Sequence, residues 1–361
     1  MAALIDTLRA RIAESGPLPV STYMAAANAA YYAKGTAFGA AGDFITAPDI
    51  SQTFGEMIGL WCAATWAAMG APYPVLLVEC GPGRGTLMQD LLRATAGIEG
   101  FNAAVRVHLV EQSPALRASQ AYALSEIEPH WHDTLSTVPP GPMLLVANEF
   151  LDALPIRQYE RTAQGWRERA ITVDSAGALS FTAIDSGPAP VPIPLAAGAD
   201  LGAVFEHCET AHEAVRAAAQ RVCAHGGAAL FIDYGHKASA LGETLQAVRR
   251  HGYHSVLSDP GEADLTAHVD FAALAATARS RGARVHGPIE QGLWLRALGI
   301  LMRLATLARG KPAAVGRDVH AGVRRLIEPD AMGALFKVMA VSHPSLATLD
   351  GFAQAGDNDH R

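Results

Sequence analysis

The sequence predicts a doubly wound α/β protein, on three observations. From Pro74 onward, short apolar runs of strand length alternate with helical segments. Runs of that length and rhythm read as parallel strands buried on both faces. One of them, residues 75–80, opens through a glycine-rich turn directly into a helix.

The composition bounds what such a fold can do. With 361 residues, 50% hydrophobic and 17% charged, the chain suits one dominant domain with insertions, and it is neither a disordered tail nor a charged nucleic-acid coat. A net charge of −7 provides no general attraction to phosphate backbones or anionic membranes, so nucleic acid is a disfavoured partner. Cys62, Cys80, Cys208 and Cys223 show neither CxxC spacing nor a disulfide framework, and read as reduced thiols. The N-terminal segment has no apolar signal region. Residues 294–308 are interrupted by Arg296 and Arg303 and fall short of the roughly 20 residues of a membrane span. A cytoplasmic protein without membrane insertion is expected.

Taken in order, residues 3–14 and 21–30 read as helices separated by Pro17 and Pro19, residues 31–44 as a loop, and Ser51 as the cap of a following helix. Residues 1–70 are thus expected to form a helical cap. The core, residues 71–310, begins with strand and helix pairs at 75–78 and 87–96, then at 105–110 and 114–124, with a further strand at 143–147. Residues 156–160, 166–173 and 179–184 lack intervening helices and form an inserted β-meander at about 156–200. A long helix is expected over 202–225 and a buried strand over 228–233. A second insertion, about 235–275, reads as irregular and polar through residue 270, and long segments of that kind tend to carry function. Residues 311–361 are expected to be helical with a frayed tail.

The strongest local signal is Gly81-Pro82-Gly83-Arg84-Gly85 after the first strand. Glycines there allow a tight turn and close backbone approach to a ligand. Dinucleotide binders need a third glycine or alanine where this chain has Thr86, and Pro82 removes a backbone donor that a pyrophosphate would use. S-adenosyl-L-methionine carries no phosphate, so the Gly81, Gly83 and Gly85 spacing suits it better. Glu111, ending the next strand, can accept from both ribose hydroxyls. Asp133, where a third strand should end, can meet the adenine amino group, with Trp131 stacking or packing nearby. The bland alternative for the glycines is a plain turn, and for Trp131 a half-buried loop.

The fourth strand runs into Asn148, Glu149 and Asp152, placing polar and acidic groups at the carboxyl edge where ligands bind in such sheets; Asn148 is counted with the cofactor site. Two carboxylates, Glu149 and Asp152, can orient a protonated arginine, localise its charge and accept a proton after transfer, although Asp152 could instead cap the following turn. Base-modifying enzymes place prolines where Glu149 and Phe150 stand. The histidines at 236, 251, 254 and 268 lack the spacing of zinc motifs, so no metal is expected.

Several segments together resemble one family: Gly42-Asp43-Phe44-Ile45-Thr46, Phe54-Gly55-Glu56, the glycine loop from Glu79, Asn148-Glu149-Phe150-Leu151-Asp152, Ile232-Asp233-Tyr234-Gly235 and Ala263-Asp264-Leu265-Thr266. The chain resembles the MidA-type methyltransferases over roughly residues 20–345. That resemblance implies the Rossmann-like sheet of class I S-adenosyl-L-methionine-dependent methyltransferases, with an N-terminal helical cap. It implies cofactor contacts from Gly81, Gly83 and Glu111, with Asp43, Phe44, Thr46 and Pro48 closing the site. It also implies a protein partner bearing the acceptor arginine, in the family's mitochondrial members a respiratory complex I subunit. An assembly chaperone keeping the fold, or a small-molecule methyltransferase, are the alternatives.

Overall fold

The computed structural model describes residues 4–34, 46–249, 252–309 and 313–352. The chain divides into two units. One comprises Met1–Phe44, Asp152–His212 and Ala238–His268, and the other Ile45–Leu151, Glu213–Lys237 and Val269–Arg361.

In the second unit the apolar runs pair as parallel strands. The sheet order is Arg284–Glu290, Phe336–Ser342, Gly227–His236, Met143–Asn148, Val75–Cys80, Val105–Val110, His130–His132. The strands from Gly227–His236 to His130–His132 are mutually parallel, whereas Phe336–Ser342 runs antiparallel to both neighbours. The chain winds outward from Val75–Cys80 through Val105–Val110 to His130–His132, then returns to the other side as Met143–Asn148. That reversal puts the topological switch point at the carboxyl ends of Val75–Cys80 and Met143–Asn148, the crevice where ligands bind in open α/β sheets. All residues of both strands are buried. Helices Gln52–Ala68 and Thr86–Thr95 contribute Phe54, Ile58, Trp61, Leu87 and Leu91 to the core over this sheet.

The first unit is built on antiparallel strands. The meander strands Arg157–Thr162, Gly165–Val173 and Leu179–Ile184 are joined by Val204–His207 and by Leu18–Pro19, which pairs with Ile171 and Ala170. Helices Leu4–Ser15 and Val20–Tyr32 bury Leu8, Ile12, Tyr23 and Met24 against Ile156, Ile171 and Leu265.

Four expectations require correction. Residues 202–208 do not begin a long helix: Val204–His207 is a strand whose β-branched and aromatic residues pair with the meander, and the helix starts at Glu209. The stretch expected to be irregular to residue 270 holds a small sheet of Gly252–His254, Gln246–Arg249 and Asp264–Thr266. Phe336–Ser342 is a fully buried central strand where a helical segment was expected. The cap expected over 1–70 divides at residue 44, because Gln52–Ala68 packs in the second unit while the first two helices share their core with the meander. All four cysteines are free.

Candidate functional site

The glycine turn adopts backbone that only glycine reaches without strain. Gly81, Gly83 and Gly85 have φ of 67°, 52° and 85°. At Gly81 a Cβ would come within 2.9 Å of Cδ2 of Phe150, so the turn and the loop after Met143–Asn148 are packed ring against backbone. Gly85 then caps the Thr86–Thr95 helix.

Glu111 stands at the end of Val105–Val110, its N–H donating to the His132 carbonyl at 2.9 Å. Its Oε1 accepts from the Ser113 N–H at 2.8 Å and its Oε2 from Gln120 Nε2 at 3.3 Å. Burial raises its pKa, and these donors oppose the rise. Asp133, expected at the adenine amino group, pairs at 2.6 Å with Arg117, which also donates to the Glu111 carbonyl. Trp131 packs at the margin of the core and donates through Nε1 to Gln120 Oε1 at 2.9 Å.

Asn148 and Glu149 lie together. Glu149 Oε1 accepts from the Ala47 N–H at 2.9 Å and from Asn148 Nδ2 at 3.2 Å. Glu149 has a φ of 49°, a left-handed conformation costing a non-glycine residue about 1–3 kcal/mol unless its surroundings hold it. Those surroundings are visible: the Glu149 N–H donates to the Ile232 carbonyl at 2.9 Å, and the buried Asp233 accepts through Oδ2 from the N–H groups of Phe150 and Leu151 at 3.1 and 2.9 Å. Thr46 donates to Asp49, and Asp49 pairs with Arg84 at 2.5 Å, tying the Ala47–Ile50 turn to the glycine loop.

Asp43 lies outside the described residues. Asp152, expected beside Glu149 in catalysis, begins a segment of the first unit, where its carbonyl accepts from the Ala267 N–H and its charge acts on Tyr32, itself bonded to Asp264. Among the described residues no group of three or more His, Cys, Asp or Glu is arranged to hold a metal, and no helix is long and apolar enough to cross a membrane.

The structure adds Glu79, Gln120 and Asp233 to the candidate site. Glu79 was visible as a carboxyl inside an apolar strand, and burial pushes its pKa up to about 8. Asp233 is legible as an acid ending the apolar run of residues 228–232, whereas Gln120 carries no local signal.

The orphaned atoms test the fit to S-adenosyl-L-methionine. Glu79 Oε2 and Asn148 Oδ1 are buried acceptors with no hydrogen-bond partner. Glu79 aligns with Val146 in the parallel pair, so Asn148, two residues on, faces the same side of the sheet. Unmet buried acceptors cost about 1–3 kcal/mol each, and a ligand carrying an ammonium group and hydroxyls supplies the donors. The residues fit the cofactor.

Comparisons with known proteins agree. Residues 57–289 match the family model described as "Putative S-adenosyl-L-methionine-dependent methyltransferase". The chain is 36% identical to the Drosophila melanogaster protein arginine methyltransferase NDUFAF7 homolog, mitochondrial, over 98% of this chain and 88% of that protein. It is 35% identical to the Homo sapiens protein arginine methyltransferase NDUFAF7, mitochondrial, over 94% and 83%. A crystal structure of a "likely methyl transferase" from Burkholderia thailandensis bound to S-adenosyl-homocysteine superposes with a TM-score of 0.85 at 31% identity, covering 97% of this chain and 94% of that one. The mitochondrial naming of these relatives overturns the cytoplasmic location expected above, which rested on the lack of a secretory signal and so excluded only one route.

Proposed function

The chain belongs to the MidA-type family of S-adenosyl-L-methionine-dependent methyltransferases, and from that premise we propose that it N-methylates an arginine side chain of a protein, with a respiratory complex I subunit as the substrate. The carrying observation is Glu149, held at positive φ beside the switch point with its carboxylate aimed by Ala47 and Asn148.

Gly81, Gly83, Gly85, Glu79 and Glu111 are the residues that would hold the cofactor, with Asn148 at the edge toward the acceptor. When bound, the cofactor supplies an electrophilic methyl group on its sulfonium. A guanidinium is always protonated and presents planar N–H donors that match a carboxylate. Glu149 accepts those donors, fixes the plane of the group and draws its positive charge toward one side, leaving the far nitrogen richer in electrons. As the N–CH3 bond forms on the far nitrogen and the S–CH3 pair returns to sulfur, the guanidinium would be left with one proton too many, and an N–H bonded to Glu149 would pass that proton to the carboxylate, leaving the methylated group with its single positive charge. Asp233 keeps the loop in place by bonding two consecutive N–H groups. Positioning supplies much of the rate.

The test is methyl transfer from labelled cofactor to arginine-bearing fragments of complex I subunits, alongside the same fragments with lysine in place of arginine. Transfer to the arginine fragments alone is expected, and Glu149→Gln should lower kcat at least about a hundredfold while cofactor Kd stays unchanged. Full activity in Glu149→Gln, or equal methylation of lysine fragments, refutes the proposal.

A further inference from the structure

Gln120 sits on the Pro114–Ala123 helix, is fully buried, and uses both polar atoms of its amide. Its Nε2 donates to the Gly83 carbonyl at 2.8 Å and to Glu111 Oε2 at 3.3 Å, while its Oε1 accepts from Trp131 Nε1 at 2.9 Å. One side chain therefore joins the turn after Val75–Cys80, the acid after Val105–Val110 and the indole on His130–His132. Glutamate there would turn an oxygen toward a carbonyl and a carboxylate, and lysine could not accept from the indole.

The consequence falls on Glu111. The Ser113 N–H holds one of its oxygens and Gln120 the other, so the carboxylate plane is fixed relative to the Gly83 backbone. We propose that Gln120 is a positioning residue for the nucleoside: by fixing the Glu111 carboxylate it makes the site select a ribose diol over a deoxyribose. The proposal rests on the cofactor reading above and on Glu111 as the ribose acceptor. A hydroxyl bonded to a well-placed carboxylate corresponds to roughly a ten- to hundredfold preference for the ribo ligand. A carboxylate free to turn loses most of it.

Calorimetric titration of the full chain with S-adenosylhomocysteine and its 2′-deoxy analogue tests this. Wild type should prefer the ribo ligand by roughly ten- to a hundredfold, and Gln120→Met, similar in size but without an amide, should bring the preference to about threefold or less. A general loosening of the site would weaken both ligands equally and leave their ratio intact, and that result overturns the proposal. Should Gln120→Met fail to fold, Trp131→Phe keeps an aromatic ring while removing the indole N–H that anchors Oε1, together with some ring volume at the core margin; a reduced ratio supports the proposal and an unchanged one overturns it. Equal binding of the two ligands by wild type overturns the Glu111 assignment and this inference with it. No binding of S-adenosylhomocysteine overturns the cofactor reading itself.

Discussion

Replacing Gly81 with alanine separates two costs that the structure places on one atom. The first is conformational: at φ of 67° a non-glycine residue pays about 1–2 kcal/mol. The second is steric: the new Cβ would lie 2.9 Å from Phe150 Cδ2, and relieving such overpacking costs about 1–3 kcal/mol more. Phe150 cannot yield easily, because its N–H is bonded to Asp233 and its neighbour Glu149 is pinned to the Ile232 carbonyl. Gly85→Ala is the internal reference. Its φ of 85° carries the first cost, but its Cβ would meet Ala123 at an ordinary 3.5 Å and so avoids the second. Denaturant unfolding should therefore show Gly81→Ala less stable than Gly85→Ala by about 1–3 kcal/mol. Calorimetry should show it binding S-adenosyl-L-methionine roughly tenfold or more weakly than the reference, since each 1.4 kcal/mol is a factor of ten. Equal losses in the two variants would mean that Phe150 does not impose the glycine, and the packing argument would fail.

Two pH predictions follow from buried groups. Burial holds the Glu79 carboxyl protonated to about pH 8, whereas in the unfolded chain it ionises near 4.5, so the folded state loses stability as pH rises from about 5 through 8. Glu79→Gln should keep its melting temperature over that range and lose most of the stabilisation by added cofactor; melting curves that coincide with wild type, with and without cofactor, would disprove the role. His108, 2.9 Å from His132 and stacked on His130, is lowered to about 4 by burial first and then by these histidines and Arg221. The unfolded chain takes up this proton near 6.5 while the fold resists until about 4, so stability falls as pH drops between those values. His108→Gln should flatten that acid limb in pH-dependent unfolding, and an unchanged slope would assign the loss to other groups.

Much of the second unit was legible because its signals are local. A buried parallel strand must be apolar along its whole length, and the glycine turn needs residues that tolerate positive φ, so Val75–Cys80, Gly81 and Gly85 announce themselves within a dozen residues. Glu111, Asn148 and Glu149 stand out as candidates by the same logic, as polar residues where an apolar run stops. Phe336–Ser342 was missed although equally apolar, because an antiparallel strand inserted between two others follows no β–helix–β rhythm in the chain.

What the sequence by itself determined about this protein is the class of sheet, the position of its glycine turn and the acids at the strand ends, all properties of short contiguous segments. Only the tertiary structure decided which partners those groups have. Asp233 reaches back across 82 residues to the Leu151 N–H, Gln120 bonds Gly83 across 37, and Ala47 meets Glu149 across 102. Such pairings depend on how the strands order and register, and a hydrogen bond between distant segments leaves no periodicity in either one. The division between units was decided in the same way, because the first helices are apolar enough to join either core and only packing against Ile156, Ile171 and Leu265 assigns them to the meander.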